Sequence, residues 1–376
     1  MRVLFTTAPL YGHFFPLVPL AWAFRSAGHD VLVAAPEDFV PVVVGAGLPA
    51  VVTAHDLGST DYARAAVGDA GGHTRADYAS SGAGWGRLAG RALDGMFRIL
   101  DLYQPDLVIS EPGEYAGRLA SAYRGLPWVL HSWALDVSPE FAAGAEAELA
   151  PLLESWGFDG LPQPELVIYP CPPDLLPPDA PDGLTMRYLP YNGRAVLPRW
   201  LNPKRDRPRV FVSFGSLLPL YGPRKMRSLI TEFVSEVSAA DTSIILGIDD
   251  KIASELGTLP GVDHAGWVPL NQVLPHCDVA VHHGGSGTSM AAAAYGLPQL
   301  LLPHATDQFD TATRFVAAGS ACQILPGDVS AGSVRRAVTD LLGEPRYRAT
   351  AERLARRLAA QTSPAGVVEA LASRAS

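Results

Sequence analysis

Short apolar runs alternate with glycine-terminated helical segments from the first residues of the chain onward. Arg2–Ala8 is apolar on both faces, as expected of a strand buried in a parallel sheet. The next segment, FPLVPLAWAFRSAG, predicts a helix that tolerates Pro16 in its first turn and ends at Gly28. A second buried strand, HDVLVAAP, follows it. This β–α–β order predicts the start of a doubly wound α/β domain.

A second series of the same kind begins after a proline-dense stretch, residues 170–208, whose prolines exclude long helices and central strands. It opens with the strand-like segment Arg209–Ser216. We therefore predict two Rossmann-like doubly wound α/β domains that face a central cleft. Residues 59–90, rich in Gly, Ala and Ser, are predicted to form long loops and short helices. The predicted boundaries are an N-terminal domain over 1–190, a linker over 191–208, a C-terminal domain over 209–360, and a final helix over 361–376 that packs back on the first domain.

Charge and cysteine content narrow the classes of partner. The 376 residues carry a formal net charge of −9 with no basic run, so we expect neither nucleic acid nor an anionic membrane surface as a partner. The three cysteines form no CxxC pair, which argues against a disulfide framework and fits a reducing cytoplasm. No apolar run reaches the roughly 18–20 residues of a membrane span, so no stable membrane anchor is expected. The sequence leaves open whether the chain forms a homodimer.

The strongest chemical signal is HHGGSGTS, residues 282–289, between a predicted strand and a predicted helix. Glycines let backbone N–H groups approach a phosphate, and a helix N-terminus adds unpaired donors. His283 offers a further donor, and Gly215 with Ser216 gives a second candidate contact after another strand. The alternative is a tight turn that binds no ligand. A zinc site is disfavoured because His282 and His283, adjacent on a strand, point to opposite faces.

Further candidate residues follow other predicted strands of the second domain. Trp267 has an aromatic face suited to a nucleobase, although core packing is the alternative. Asp307 and Gln308 offer acceptors and donors to a polyol, although Asp307 is equally suited to capping a helix.

In the first domain, His13 follows the first strand and can act as a general base near neutral pH. Glu111 follows another strand and is placed to orient it. Asp136 is a second candidate base close to a strand end, and His131 is a less compelling one. The alternative for His13 is a purely structural role.

Three segments together resemble a known family, the family 1 type glycosyltransferases of the GT-B fold that decorate polyketide and other antibiotic scaffolds in actinobacteria. They are GHFFPLVPLAWAFRSAGHDV, RYLPYNGRAVLPRWL and GWVPLNQVLPHCDVAVHHGGSGTSMAAAAYGLPQLLLPHATDQFDTATR. The resemblance spans nearly the whole chain. It implies transfer of a sugar from a nucleotide diphosphate to a small, largely apolar acceptor. We find no DxD-like acidic pair placed to hold a metal, so no metal site is expected.

The resemblance also implies roles for individual donor-site residues. Trp267 would stack on the base while the backbone of Val268 bonds to it, and Asp307 and Gln308 would face the sugar hydroxyls. The pyrophosphate would be held by Ser216, His283, Gly285, Gly287 and Thr288. In plant relatives that use UDP-sugars, a Glu that holds the ribose stands where this chain has Ala291. Its absence favours a TDP-sugar as co-substrate, with no further cofactor.

On the acceptor side, His13 resembles the family's acceptor base. Glu111 stands where an orienting Asp is usual, so this dyad carries one additional methylene. Asp136 matches a position used as the base in relatives that act on aromatic polyketides, including some that form C–C glycosides. Both bases are therefore kept, and O- or C-glycosylation stays open. The reaction implied is an inverting displacement with an oxocarbenium-like transition state.

Three other functions compete with this one. A nicotinamide-dependent oxidoreductase needs GxGxxG after the first strand, and the loop here reads APLYGH. A non-catalytic helper protein with a transferase-like fold would have lost the donor-site residues, which this chain retains. A nucleotide-sugar hydrolase or epimerase of the same fold is the third, because a fold does not determine a reaction.

Overall fold

The computed structural model divides the chain into two compact units. Unit 1 comprises Met1–Gly193 with Ala360–Ser376, and unit 2 comprises Arg194–Ala359. No helix among the described residues is long and apolar enough to cross a membrane. The structure describes residues 1–67, 75–135, 138–194, 196–201, 206–215, 223–304, 307–330 and 332–374.

Unit 1 contains a parallel sheet with seven strands among the described residues. The strands are β1 (Arg2–Thr6), β2 (Asp30–Ala35), β3 (Ala50–Val52), β4 (Leu107–Ser110), β5 (Trp128–His131), β6 (Leu166–Tyr169) and β7 (Gly183–Thr185). Their order in the sheet is β3-β2-β1-β4-β5-β6-β7, so the direction of winding reverses between β1 and β4. Val3 of β1 pairs with Val31 on one side and with Leu107 on the other. In such sheets ligands bind beyond the carboxyl ends of the strands at the reversal.

Helices cover both faces of this sheet. They are α1 (Tyr11–Phe14), α2 (Val18–Ser26), α3 (Val40–Gly45), α4 (Ser59–Val67), α5 (Arg75–Tyr103), α6 (Tyr115–Arg124), α7 (Pro139–Trp156) and α15 (Pro364–Arg374), with α8–α14 in unit 2. Val3 and Phe5 of β1 pack in one apolar cluster with residues of α2 and α15. Leu4, which points the other way, belongs to a second cluster with α5, α6 and α7. The predicted doubly wound arrangement is therefore confirmed in unit 1.

The prediction for residues 59–90 was wrong, because most of this stretch lies in two helices. α4 ends at Val67, and α5 runs for 29 residues from Arg75 to Tyr103. The glycines of α5 do not break it, since they allow α7 to pack closely against it. A Cβ on Gly82 would overlap the backbone carbonyl of Phe141, and one on Gly144 would overlap that of Ala79. Small residues that resemble a loop in sequence thus form a helix–helix contact.

Unit 2 repeats the design with six described strands. They are β8 (Arg209–Ser213), β9 (Ser243–Gly247), β10 (Val262–Gly266), β11 (Val279–His282), β12 (Gln299–Leu301) and β13 (Ala321–Gln323). Their order is β10-β9-β8-β11-β12-β13, with the reversal between β8 and β11. The helices are α8 (Pro223–Ser238), α9 (Asp250–Leu256), α10 (Leu270–Val273), α11 (Ser286–Ala294), α12 (Asp307–Ala317), α13 (Ser333–Gly343) and α14 (Pro345–Ala359). Apolar residues of β8, β9, β11 and β12 pack against α8 and α13. The doubly wound prediction is confirmed here too.

Candidate functional site

The turn between β11 and α11 in unit 2 has the form that the sequence predicted. β11 ends at His282, and Gly285 is the N-cap of α11. Gly285 has no side chain to cap the helix, so the first-turn residues Gly287 and Thr288 lie at a helix end with no side-chain cap. Such an end presents backbone donors and a partial positive charge to a bound anion.

His282 has a structural role behind this turn. The backbone N–H of Gly284 donates to its Nδ1 over 3.1 Å, so Nε2 carries the proton and donates to Oε1 of Gln299 over 2.9 Å. Burial lowers the pKa of His282 to about 4. Its ring lies nearly perpendicular to that of His283, with centroids 6.3 Å apart. β11 ends at His282, so His283 lies just beyond the strand.

His283 is enclosed by glycines on two segments. A Cβ on Gly215 would lie 2.6 Å from Nε2 of His283, and a Cβ on Gly285 would overlap the same atom. Gly215 also has φ +72°, a conformation that glycine adopts without strain. The Nδ1 atom of His283 is buried and has no hydrogen-bond partner among the described residues. Position 283 therefore places an imidazole against two backbone segments that only glycine allows to come so close.

The protonation state of His283 follows from this enclosure. Burial lowers its pKa to about 3, the neighbouring His282 and His304 lower it further, and a hydrogen bond to the backbone of Ser213 acts in the opposite direction. The imidazole is therefore neutral near pH 7 and carries a single N–H. It can donate a hydrogen bond, but it contributes no positive charge.

The predicted sugar-contacting residues lie beside the same turn. Ser286 donates to Oδ2 of Asp307 over 3.4 Å, and the backbone carbonyl of Gln308 lies 3.0 Å from the position that a Cβ on Gly284 would take. The side chain of Gln308 is buried, and its Oε1 accepts the backbone N–H of His304 over 2.9 Å. The structure thus brings the first turn of α12 next to the glycine-rich turn.

Trp267 and Val268 come directly after β10 and face opposite ways. The indole of Trp267 is 42% exposed, whereas Val268 is 3% exposed. A Cβ on Gly247, at the end of β9, would lie 3.4 Å from Cγ2 of Val268, which shows how closely this valine packs on the neighbouring strand. Trp267 is therefore not a core residue, and its aromatic face is of the kind that stacks on a planar group.

In unit 1, the structure brings His13 and Glu111 together after the two strands at the reversal. Nδ1 of His13 lies 3.0 Å from Oε2 of Glu111. Because the carboxylate accepts the Nδ1 proton, Nε2 is left with the lone pair and is the basic position of the ring. The His13 side chain is 12% exposed and that of Glu111 is fully buried.

Besides His13, two backbone N–H groups and one indole N–H donate to the carboxylate of Glu111. Its Oε1 accepts the N–H of Ala8 at 2.9 Å, and its Oε2 accepts the N–H of Gly113 and the Nε1–H of Trp133, both at 2.7 Å. Burial by itself would raise the pKa of this carboxyl, but the charge of His13 and these hydrogen bonds outweigh it and hold the pKa below its ordinary value. The longer Glu side chain thus fits its place as a fixed anion.

Two tryptophans that the sequence did not single out cover His13. The ring of Trp85 stacks on the imidazole at 4.8 Å and 17°, and the ring of Trp133 lies at 4.1 Å and 60°. The signal in the sequence is a large aromatic residue among small ones in GAGWGRLAG, within the stretch predicted to form long loops and short helices.

Glu114, which was not predicted either, lies three residues beyond Glu111. It is the N-cap of α6, and its Oε2 accepts the N–H of Gly117 over 2.8 Å. Burial raises its pKa to about 7, although the hydrogen bonds from Thr6 and Gly117 act in the opposite direction.

His131, the less compelling candidate base, has a structural role. It is buried, its Nδ1 donates to the carbonyl of Ser132 over 2.8 Å, and burial lowers its pKa to about 4.

Two predicted site residues, Asp136 and Ser216, lie outside the described residues. Within the described ranges, no group of three or more His, Cys, Asp or Glu side chains is placed to hold a metal ion.

Two family models match the chain. The N-terminal domain of erythromycin biosynthesis protein CIII-like proteins matches residues 22–215, and the C-terminal domain matches residues 231–373. The L-demethylnoviosyl transferase of Streptomyces niveus is 39% identical over 380 residues, which is 99% of this chain and 98% of that protein. The elloramycin glycosyltransferase ElmGT of Streptomyces olivaceus is 33% identical, over 99% of this chain and 97% of its own.

Solved structures are similar over the same length. The glycosyltransferase SsfS6 from Streptomyces sp. SF2575, complexed with thymidine diphosphate, is 33% identical with a TM-score of 0.85, and 99% of each chain is covered. The spinosyn rhamnosyltransferase SpnG is 30% identical with a TM-score of 0.86, over 99% of this chain and 100% of its own. These matches confirm the predicted GT-B type of fold.

Proposed function

The chain belongs to the EryCIII-like glycosyltransferases of antibiotic biosynthesis, and on that basis we propose that it moves a deoxyhexose from a TDP-sugar to a small apolar aglycone with inversion at the anomeric carbon. The aglycone is an aromatic polyketide or a similar scaffold. The observation that carries this proposal is the His13–Glu111 pair in unit 1, together with the glycine-enclosed, neutral His283 in unit 2.

His13 acts as the acceptor base in this proposal. Its Nε2 takes the proton from the acceptor hydroxyl, or from an activated ring carbon in C-glycosylation, as the acceptor atom bonds to the anomeric carbon. The bond from that carbon to the phosphate oxygen breaks, and its electron pair leaves with TDP. Glu111 fixes the Nδ1–H tautomer and balances the positive charge that forms on the ring. Asp136 is the second candidate for this base.

The glycine-rich turn stabilises the leaving group. Negative charge grows on the pyrophosphate, where the N-terminus of α11 provides backbone donors at Gly287 and Thr288. His283 adds a neutral N–H, which is hydrogen-bonded to the backbone of Ser213 without the ligand and donates to a phosphate oxygen when the sugar donor is bound. Asp307 and Gln308, one helix away, bind the sugar hydroxyls.

A thymidine diphosphate donor is supported by two observations. The position where plant UDP-sugar enzymes carry a ribose-binding Glu is a buried alanine, Ala291. SsfS6 and SpnG have both been solved with thymidine diphosphate, and a 29% identical relative is named TDP-daunosamine transferase. Trp267 serves as the stacking platform for the base, and Val268 presents its backbone to the base edge. The reaction as proposed uses no metal ion.

The apolar acceptor is supported by the surroundings of His13. Trp85 and Trp133 flank it, and Phe141 packs on Trp85 at a ring distance of 5.9 Å. ElmGT and an aklavinone rhodosaminyltransferase are among the relatives, at 33% and 30% identity. The aromatic surroundings of His13 suit a flat, apolar acceptor.

The first test is thermal unfolding with TDP, UDP and NAD, each with and without a chelator. A ligand at 100 times its dissociation constant stabilises the folded state by about 2.7 kcal/mol, which raises Tm by roughly 5–10 °C for a domain of this size. We expect the largest shift with TDP, unchanged by chelator. A shift with NAD alone, or none with either diphosphate, would overturn the donor assignment.

Turnover with TDP-deoxysugars and a panel of aromatic aglycones completes the test. The expected product is a glycoside of inverted anomeric configuration, formed only when the acceptor is present. Release of free sugar at the same rate without acceptor would identify a nucleotide-sugar hydrolase instead.

A further inference from the structure

A carboxylate that no sequence motif singled out holds the backbone of Trp267. Oδ1 of Asp250, the first residue of α9, accepts the backbone N–H of Trp267 over 2.7 Å. The bond joins the start of a helix to the segment after β10, 17 residues further along. Hydrogen bonds to a charged acceptor are stronger than those between neutral groups.

The backbone next to this bond is shaped around the carboxylate. Gly266, immediately before Trp267, has φ +146°, and a Cβ there would lie 2.7 Å from Oδ1 of Asp250. The same Cβ would lie 3.5 Å from Nε2 of His264, which stacks on Trp200 at 4.2 Å and 18°. Glycine at 266 therefore lets the carboxylate reach the next N–H, in a conformation that other residues rarely adopt.

Residues 267 and 268 are fixed from two sides. Asp250 holds the N–H of Trp267, and the buried side chain of Val268 packs on the end of β9. Only the indole of Trp267 extends outward from this segment. A stacking residue whose backbone is already fixed loses less conformational entropy when a ligand binds.

We propose that Asp250 is a positioning residue for the nucleobase, because it fixes the backbone from which the indole of Trp267 projects and the backbone edge that Val268 presents. This inference rests on the proposed function, in which those two residues bind the base of a nucleoside diphosphate. Asp250 itself touches neither the sugar nor the phosphates in this assignment. Its loss should weaken recognition of the base and leave the phosphate site and the acceptor base as they are.

The chain offers a matched control one residue away. Asp249 is the N-cap of α9, and its Oδ1 accepts the N–H groups of Lys251 at 2.9 Å and Ile252 at 3.3 Å. Both aspartates are exposed at the same helix end, but only Asp250 bonds to Trp267. Asp249→Ala removes a helix cap and Asp250→Ala removes the link to the platform. Asp250→Asn retains an oxygen that can accept the same N–H.

The experiment measures the Kd of TDP and of inorganic pyrophosphate by calorimetry, with kcat and the donor KM, for these variants and for Trp267→Ala. We expect Asp250→Ala to weaken TDP binding and raise the donor KM by about 10-fold, as for one charge-assisted hydrogen bond. Its pyrophosphate affinity and its kcat at saturating donor should stay within about two-fold. Asp250→Asn and Asp249→Ala should bind TDP within about two-fold of the parent protein.

The outcomes separate this inference from the proposed function. Weaker TDP binding in Trp267→Ala but not in Asp250→Ala would overturn the role of Asp250 and leave the base platform intact. Equal losses in Asp249→Ala and Asp250→Ala would also overturn it, because helix stability would then explain both. Unchanged TDP binding in Trp267→Ala would remove the platform itself, and the inference with it.

Discussion

His13 in unit 1 and His283 in unit 2 both follow a strand of a parallel sheet, and their surroundings give them opposite chemistry. Nδ1 of His13 faces the buried carboxylate of Glu111, and its ring lies beside two indoles. Nδ1 of His283 has no partner among the described residues, and its ring is enclosed by Gly215 and Gly285. The first ring is paired with a buried carboxylate, whereas the second is enclosed by backbone and is neutral near pH 7.

In the proposed function, this difference lets one residue type serve as the base at the acceptor and as a hydrogen-bond donor at the leaving group. A base must gain a proton during the reaction, so it needs a partner that stabilises the resulting charge. A donor to a leaving phosphate needs one N–H and no charge of its own, and burial, which lowers the pKa of His283 to about 3, gives it that form near pH 7. The identity of the first neighbour, a carboxylate or a backbone glycine, decides which role a histidine can take.

The largest effect is expected from His13→Ala. Removal of a general base should lower kcat by about 10²–10⁴-fold, because the acceptor proton then has no positioned acceptor. The Tm shift caused by TDP should be unchanged, since the donor residues lie in unit 2. His55→Ala is the control: His55 pairs with Glu37 over 2.9 Å, but both side chains are exposed, so its kcat should match the parent protein. Near-normal turnover in His13→Ala, with loss in Asp136→Ala, would assign the base to Asp136.

His283→Ala should have the next largest effect. Loss of one preorganised donor to the leaving group should lower kcat by about 10²–10³-fold. Because His283 stays neutral, the ratio of parent to variant kcat should be constant from pH 6 to pH 9. Pre-steady-state rates at saturating donor across that range measure it. A ratio that falls as the pH rises would mean that a charged His283 contributes, contrary to the enclosed geometry.

The glycines beside the two histidines sharpen the same contrast. Gly215→Ala would place a Cβ 2.6 Å from Nε2 of His283 at a φ of +72°, so we expect a loss of about 1–3 kcal/mol in the free energy of unfolding and weaker TDP binding. Gly12→Ala, next to His13 in α1, meets nothing within 4 Å, and alanine favours a helix, so its stability should be equal or slightly higher. Urea unfolding of both variants measures this, and equal losses would show that His283 is not enclosed as described.

The sequence predicted the fold and the pairing of His13 with Glu111 because both depend on local patterns. The strand-to-helix order follows from apolar runs and glycine stops, and the carboxyl ends of β1 and β4 necessarily bring His13 and Glu111 close together.

What sequence could not provide depends on contacts between distant segments. The helix α5 was missed because Gly82 is a breaker by propensity, and only its packing against Phe141 makes it suitable there. Trp85 and Trp133, which cover His13, are more than 70 positions from it in the sequence. Asp250, at the start of α9, bonds to Trp267 after β10. No periodicity encodes such pairs.

The two units should also differ in their sensitivity to acid. In unit 2, His282 and His283 have pKa values of about 4 and 3, well below the ordinary 6.5. Between each of these values and 6.5, the histidine is protonated in the unfolded chain but neutral in the folded unit. Stability should therefore fall as the pH drops from 6.5 towards 4, by at most about 1.4 kcal/mol per pH unit for each histidine. In unit 1, His131 acts in the same direction. Glu114, with a pKa of about 7, keeps a proton that the unfolded chain releases, so its contribution grows as the pH falls from 7 towards 4.5.

In unit 1 the contributions of His131 and Glu114 have opposite signs and should nearly cancel. In unit 2 the contributions of His282 and His283 have the same sign and should add. Hydrogen exchange at pH 7.0, 6.0 and 5.0, corrected for intrinsic rates, should show core amides of β8 and β11 losing protection while those of β1 and β4 change little. Glu114→Gln removes the compensating group, so unit 1 of that variant should become as acid-sensitive as one histidine makes it, about 1.4 kcal/mol per pH unit at most. Equal loss of protection in both units of the parent protein would mean that Glu114 titrates normally, and the balance inferred for unit 1 would not hold.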